Sequence, residues 1–419
     1  MSDAVPIEPP LNVPRLLVSF KAPGFALFYA HSTFASVDMT VRMAVNGWLV
    51  LELSDDSAFW VGIFALAQGV GQLLFSMVAG AIVDRFQRRN VLLVEGSLGL
   101  MIAWSVAAAA LLEAITLWMA IALGFVIGVQ RAVRFTASNR LVYDLVGPRQ
   151  LVNGVSLWRV STTPMAIFGA LLAGLLIDWV GIWAAYALIG ISLVISLPFL
   201  ALITVKGAVE RSGVNLLQQT LEGIRFARRS RPLSTLFTIS VVMEALGFAY
   251  LVMIPIMAKI VLEVGGTGMG FLQAGTGVGM FSATLVMAAR GDAGNKPRVI
   301  FLAAIGAGLA LIGFALSRSL PLSVLLAAAV MAFLHAYDLT LGALMQLVSP
   351  PNLRGRAVSL HSLAISFTAL GGFVMGVAGG IVGVPTVLAA GGAGIVANSL
   401  LRRGALKRVR EHPHGTGEA

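Results

Sequence analysis

Twelve apolar segments recur along the chain, each nearly free of charge and each long enough to cross a hydrocarbon layer about 30 Å thick at about 1.5 Å per helical residue. They cover 25–52, 58–83, 91–112, 115–137, 152–177, 180–204, 235–260, 269–289, 299–317, 320–347, 357–380 and 383–402. A soluble fold could not hide them. Of 419 residues 58% are hydrophobic and 11% charged, against about 25% charged in soluble domains, and surface-to-volume scaling would leave much of that apolar area in water. The expectation is an all-α membrane protein with twelve transmembrane helices.

Where the charges fall sets the orientation. The net charge of +10 does not point to nucleic acid, because the cations sit between apolar segments and line no polar groove. Twenty-five of the 29 Lys and Arg collect in alternate breaks or at the helix ends beside them, among them Arg85, Arg88, Arg89, Arg131 and Arg134. The other breaks hold Arg318, and near helix ends Lys259, with Asp55, Asp56, Glu113, Asp178 and Glu263. By the positive-inside rule both termini face the cytoplasm, which an even number of spans allows. The first twenty residues read as a short cytoplasmic tail, without the basic start and apolar core of a signal peptide. There is no cysteine, so thiol chemistry and Cys-based metal sites are excluded.

The chain also repeats itself. A shift of 208 residues carries Gly62, Gly69 and Gly71 onto Gly270, Gly277 and Gly279, then Asp84 onto Asp292 and Arg88 onto Lys296. A shift of 202 carries Leu145, Val146, Pro148 and Leu151 onto Leu347, Val348, Pro350 and Leu353. The chain therefore divides into a six-helix half at 1–204, a cytoplasmic linker at 205–231, a second six-helix half at 232–402 and a tail at 403–419. Val214, Leu217, Leu221 and Ile224 give the linker one apolar helical face, suited to the membrane surface. Parallel repeats of this kind place a transport site between the halves near the bilayer midplane.

Ionisable groups inside spans are retained when they are paired or face water. Asp38 and Arg42 lie one helical turn apart in the first span. Glu244 lies at matching depth in the seventh, the repeat partner of the first. Withdrawal from water favours the neutral acid while a neighbouring cation opposes it, so Glu244 is the proton-coupling candidate, and Asp38 stays ionised, either paired with Arg42 or meeting a cationic part of the substrate. His335 and Asp338 share a turn in the tenth span and are secondary candidates, either as a relay or as a satisfied polar pair. Arg159 reads as snorkelling to the near face, and His31 and His361 as packing or interfacial residues. Phe34, Trp48, Met243, Phe248 and Met253 are expected lining. Gly275, Gly277 and Gly279 mimic a nucleotide loop but lie inside a span with no preceding strand. Neither a metal cluster nor a nucleophile–base set stands out, so catalysis and cofactors are not expected. The expected partners are a small molecule, protons and the lipid bilayer, with the protein working as a monomer and no nucleic acid bound.

The stretch Gly80-Ala81-Ile82-Val83-Asp84-Arg85-Phe86-Gln87-Arg88-Arg89 resembles the signature loop between the second and third helices of the major facilitator superfamily, with Gln87 where glycine is common. Three further stretches resemble its enterobactin-exporter-like and drug-exporter-like branch. They are Ser36-Val37-Asp38 leading to Trp48 and Glu52, Asp144-Leu145-Val146-Gly147-Pro148-Arg149 leading to Asn153, and Leu353-Arg354-Gly355-Arg356 leading to Ser359. The resemblance spans nearly the whole chain. It implies a major facilitator fold and proton-coupled export of a small organic or amphipathic molecule by alternating access, an importer or lipid flippase being the rival within the fold. A non-transporting membrane sensor or scaffold is the rival of another class. It also implies a conformational latch in Gly80, Asp84, Arg85, Arg88 and Arg89, closing on Arg131, Arg134 and the eleventh helix start at Gly355.

Overall fold

The computed structural model describes residues 15–204, 231–290, 295–349 and 354–411. The expected surface helix of the linker lies outside them. A short 3₁₀ turn at Arg15–Lys21 leads into α1 (Phe25–Leu53), α2 (Ala58–Arg85) and α3 (Arg88–Leu111). Then follow α4 (Leu117–Gly147), α5 (Asn153–Trp179) and α6 (Ile182–Ala201). The second half holds α7 (Pro232–Val261), α8 (Gly265–Arg290), α9 (Lys296–Leu316), α10 (Leu320–Leu347), α11 (Arg354–Ile365 continued by Phe367–Val382) and α12 (Val384–Leu401). A tail helix, α13, covers Arg403–Glu411.

Eleven helices among the described residues are long and apolar enough to cross a membrane. The twelfth is α1, whose 29 residues suffice in length but include His31, Asp38, Arg42 and Asn46. The helix that falls short on hydropathy is thus the one that buries an acid and a base together.

One boundary differs from expectation in a way that matters. The fourth span does not end near 137. The helix continues to Gly147, where φ 71° breaks it and starts α5. Ala137, Leu141, Val142 and Val146 keep it helical by packing on Phe25, Phe28, Val83 and Leu200. Arg131 and Arg134 therefore lie midway along α4, not at its cytoplasmic end.

The repeat reappears in the packing. Gly62 and Gly69 of α2 meet Phe373 and Ala369 of α11, while Gly270 and Gly277 of α8 meet Ala170 and Ile167 of α5. Gly71 and Gly279 abut the backbones of α4 and α10. Matching glycines thus make matching close approaches. At the crossing, a Cβ on Gly376 would lie 2.6 Å from the Cα of Gly62, and one on Gly266 would lie 2.9 Å from the carbonyl of Gly174. Small residues let helices approach where lipid offers no hydrophobic drive.

Candidate functional site: a cleft between two halves

The bundle has an acidic end, where Asp55, Asp56, Glu113, Asp178 and Glu263 lie in or beside the hairpin turns, and a basic end, with Arg85, Arg88, Arg89 and Arg140. The halves are sealed at the acidic end. Asp178 accepts hydrogen bonds from the amides of Gly266 (2.6 Å) and Thr267 (2.7 Å), at the start of α8. Lys259 reaches Asp56 at 2.7 Å and lies 5.4 Å from the Trp48 ring centre. Gly47 faces Pro255, where a Cβ would approach the proline ring to 2.7 Å.

Past mid-depth the halves part. Met43 and Met39 follow Gly47 at four-residue steps along one face of α1, and are 43% and 49% exposed. Beyond Gly69 on α2, Leu73 is exposed, and beyond Ala369 on α11, Ile365 is exposed. Along these stripes the close approaches lie toward the acidic end and the exposed side chains beyond them, the pattern of a cleft that widens toward the basic end.

The first-half side of the cleft is backed by four compensating charges. Asp38 pairs with Arg42 and, at 2.7 Å, with Arg134, whose guanidinium also reaches Glu95 at 2.9 Å. Arg42 donates to the Gly99 carbonyl at 3.2 Å. Asp38, Arg42 and Glu95 are each at most 6% exposed. The expected Asp38–Arg42 pair is present, and two further members join it. Glu95, a lone acid in the apolar run of α3, was not singled out from sequence; its position inside a span was the available signal. In front of this set Arg131 is exposed, with no hydrogen bond or ion pair among the described residues, and within electrostatic range of Glu244 across the cleft.

The second-half wall is built differently. Glu244 is 4% exposed and lies in a π-helical turn, Met243–Phe248, inside α7. Such turns occur often at functional sites because they displace side chains from helical register. Thr368 of α11 donates to its carboxyl at 2.5 Å. Asp338 of α10 meets His361 of α11 at 3.1 Å, so the Asp338 partner is His361 and not the neighbouring His335. His361 is thus part of the polar set and not simple packing. The buried Tyr337 hydroxyl lies in electrostatic range of Glu244 and Asp338. His335 feels Asp338 and, from α5, the exposed Arg159.

Most of the expected lining is packing instead. Trp48, Met243 and Met253 are buried, and Phe34 stacks on Phe199 at 6.0 Å. Phe248 is half-buried, and the exposed apolar side chains at the cleft are Met39 and Met43.

The family model described as transmembrane secretion effector, a major facilitator family, matches residues 16–413. The chain belongs to this family. Solved major facilitator structures share the fold at low identity. The nucleoside transporter NupG aligns with TM-score 0.72 at 14% identity, over 91% of this chain and 99% of its own. An inward-facing, unoccupied bacterial homologue of the human lysosomal transporter Spinster aligns with TM-score 0.69 at 14% identity, over 97% and 99%. A D-xylose–proton symporter aligns with TM-score 0.66 at 16% identity, over 90% and 96%. No curated protein sequence matches the chain.

In this major facilitator chain the signature loop engages other partners than expected. Asp84 pairs with Arg140, one helical stretch beyond Arg131 and Arg134, because α4 runs on past 137. Arg88 meets Asp144 at 3.5 Å, and Arg89 donates to the Ile203 carbonyl at 2.7 Å. Gly80 is buried, Arg85 is exposed, and Gly355 lies in the first turn of α11. These described contacts stay within the first half, while the cleft beside them is open.

Proposed function

We propose that this major facilitator transporter exports a small amphipathic organic molecule across the inner membrane in exchange for protons. Glu244 carries the proton and the open cleft receives the substrate. The carrying observation is Glu244 itself: a buried carboxyl held by one hydroxyl on the cleft wall, with the Arg131 charge across the gap. A carboxyl so placed can change charge without breaking an ion pair. Asp38 and Arg42, locked with Arg134 and Glu95, hold the first-half side in shape. The positive-inside distribution supports a cytoplasmic position for the open, basic end. The pair Asp84–Arg140 is the resting arrangement of the signature loop, which latches the basic end when the cleft closes.

Proteoliposomes with an imposed pH gradient test the reading, using an amphipathic fluorescent dye as probe. The wild-type chain should concentrate dye on the acidic side. Glu244→Gln should still exchange dye down its gradient and lose the pH-driven accumulation. Retained accumulation in that variant would remove Glu244 from the proton role.

A further inference from the structure

Two polar atoms on the second-half wall have no use in the function just proposed. Tyr337 is 1% exposed, and its hydroxyl has no partner among the described residues. The buried Nδ1 of His361 has none either. A buried donor or acceptor left unpaired is costly, so two such atoms in one cluster call for an explanation, with bound water the usual partner.

Their positions supply one. Glu244, Tyr337, Asp338 and His361 occupy three adjacent helices, and Glu244 lies in electrostatic range of Asp338 and His361. Their depths are ordered. Counted from the basic end of each helix at about 1.5 Å per residue, Glu244 sits about 20 Å in, Tyr337 and Asp338 about 14 Å, and His361 about 10 Å. Carboxyl, hydroxyl and imidazole can each accept and donate a proton.

We propose that Tyr337, Asp338 and His361 form the route by which Glu244 exchanges its proton with the basic-end mouth of the cleft, with water completing the gaps. The proposal rests on the reading of Glu244 as the proton carrier. On loading, His361 takes a proton at Nδ1 from water at the mouth and releases the one on Nε2 to Asp338. Asp338 passes it on, and the Tyr337 hydroxyl accepts one proton while giving its own to Glu244. Each intermediate group gains one proton and gives up another, so the net change is one proton on Glu244. Around this path the facing charges are Arg131 from α4 on Glu244, Arg159 from α5 on His335, and His335 itself beside Asp338 on α10. None of the three interrupts the series, and Arg131 favours discharge of Glu244 once the proton can leave.

The test needs no substrate. In the purified full chain in detergent, a pH jump is followed by infrared absorption of the protonated carboxyl, the Glu244 band being assigned by its loss in Glu244→Gln. Tyr337→Phe and His361→Ala should keep the amplitude of that band but slow its appearance about 100-fold, the scale of one positioned proton-transfer group. Added imidazole should restore the rate in His361→Ala and leave Tyr337→Phe slow, which a merely structural defect would not reproduce. Unchanged rates in both variants, with the band still lost in Glu244→Gln, would overturn the route alone. A band that persists in Glu244→Gln would overturn the Glu244 reading, and the route with it.

Discussion

Asp38 and Glu244 occupy equivalent depths on equivalent helices, yet their surroundings have diverged. Asp38 sits on an unbroken α-helix between two guanidiniums, with Glu95 completing a closed set of two acids and two bases. Glu244 sits on a π-helical turn, held by a threonine hydroxyl, and Arg131 acts on it from the other half without an ion pair between them among the described residues. Desolvating an ion is costly, so a buried charge with compensating partners cannot change state without leaving those partners uncompensated. A carboxyl held by a hydroxyl has no such bond to its own charge. On the reading proposed above, the first half then carries a fixed set of charges and the second a changeable one, so that two copies of one architecture would divide the labour of a carrier between a rigid body and a switch.

The largest effect expected from this contrast belongs to Arg134, which neutralises two buried carboxylates at once. Arg134→Leu should destabilise the folded protein by about 3–5 kcal/mol, the cost of leaving a buried charge unpaired. Thermal unfolding in detergent measures it. A variant as stable as wild type would show that the four charges are not held dry, and the contrast between the halves would fail. Asp38→Asn is the next step down. It keeps an acceptor for Arg42 and Arg134 but removes the charge, so a loss of about 1.5–3 kcal/mol is expected. Glu244→Gln, by comparison, should cost at most about 1 kcal/mol, because the amide oxygen still accepts from Thr368. Equal destabilisation by Asp38→Asn and Glu244→Gln would break the comparison outright.

The architecture was legible in the sequence because lipid enforces it. Apolar length, charge alternation and the glycine repeat each follow from a solvent that leaves the chain few options, and Gly62 and Gly270 perform in three dimensions the matching tasks their spacing suggested. The depths of Asp38 and Glu244 could be read for the same reason. Their partners could not. Glu95, Arg134, Thr368 and His361 come from neighbouring helices, and the rotation of a helix about its axis leaves little trace in composition. The misplacement of Arg131 and Arg134 has a second cause. Residues 138–146 include Arg140 and Asp144 and look like a loop, yet the tertiary packing of Leu141, Val142 and Val146 keeps them helical. The π-helical turn at Glu244, which packs on α11 and α12, also left no sequence signal.

An effect as small as that of Glu244→Gln sharpens the comparison most. Thr368 is the described hydrogen-bond partner of the Glu244 carboxyl, and it stands on α11, the helix whose continuation crosses α2 at Gly376. Thr368→Val removes one donor while conserving shape, so the loss in stability should be about 0.5–1.5 kcal/mol, the net worth of one hydrogen bond. That is well below the Arg134 effect, although both substitutions remove the partner of a buried acid. The difference arises because Glu244 can take up a proton and remain uncharged in place, whereas Glu95 and Asp38 share Arg134 and lose their balance with it. In dye transport the variant should keep pH-driven accumulation with a displaced pH profile, since the hydroxyl stabilises one charge state of Glu244 over the other. Thermal unfolding and the pH profile of dye accumulation, measured on the same preparation, check both parts. A Thr368→Val protein destabilised as severely as Arg134→Leu would mean that Glu244 is permanently charged, and the second half would then be as fixed as the first.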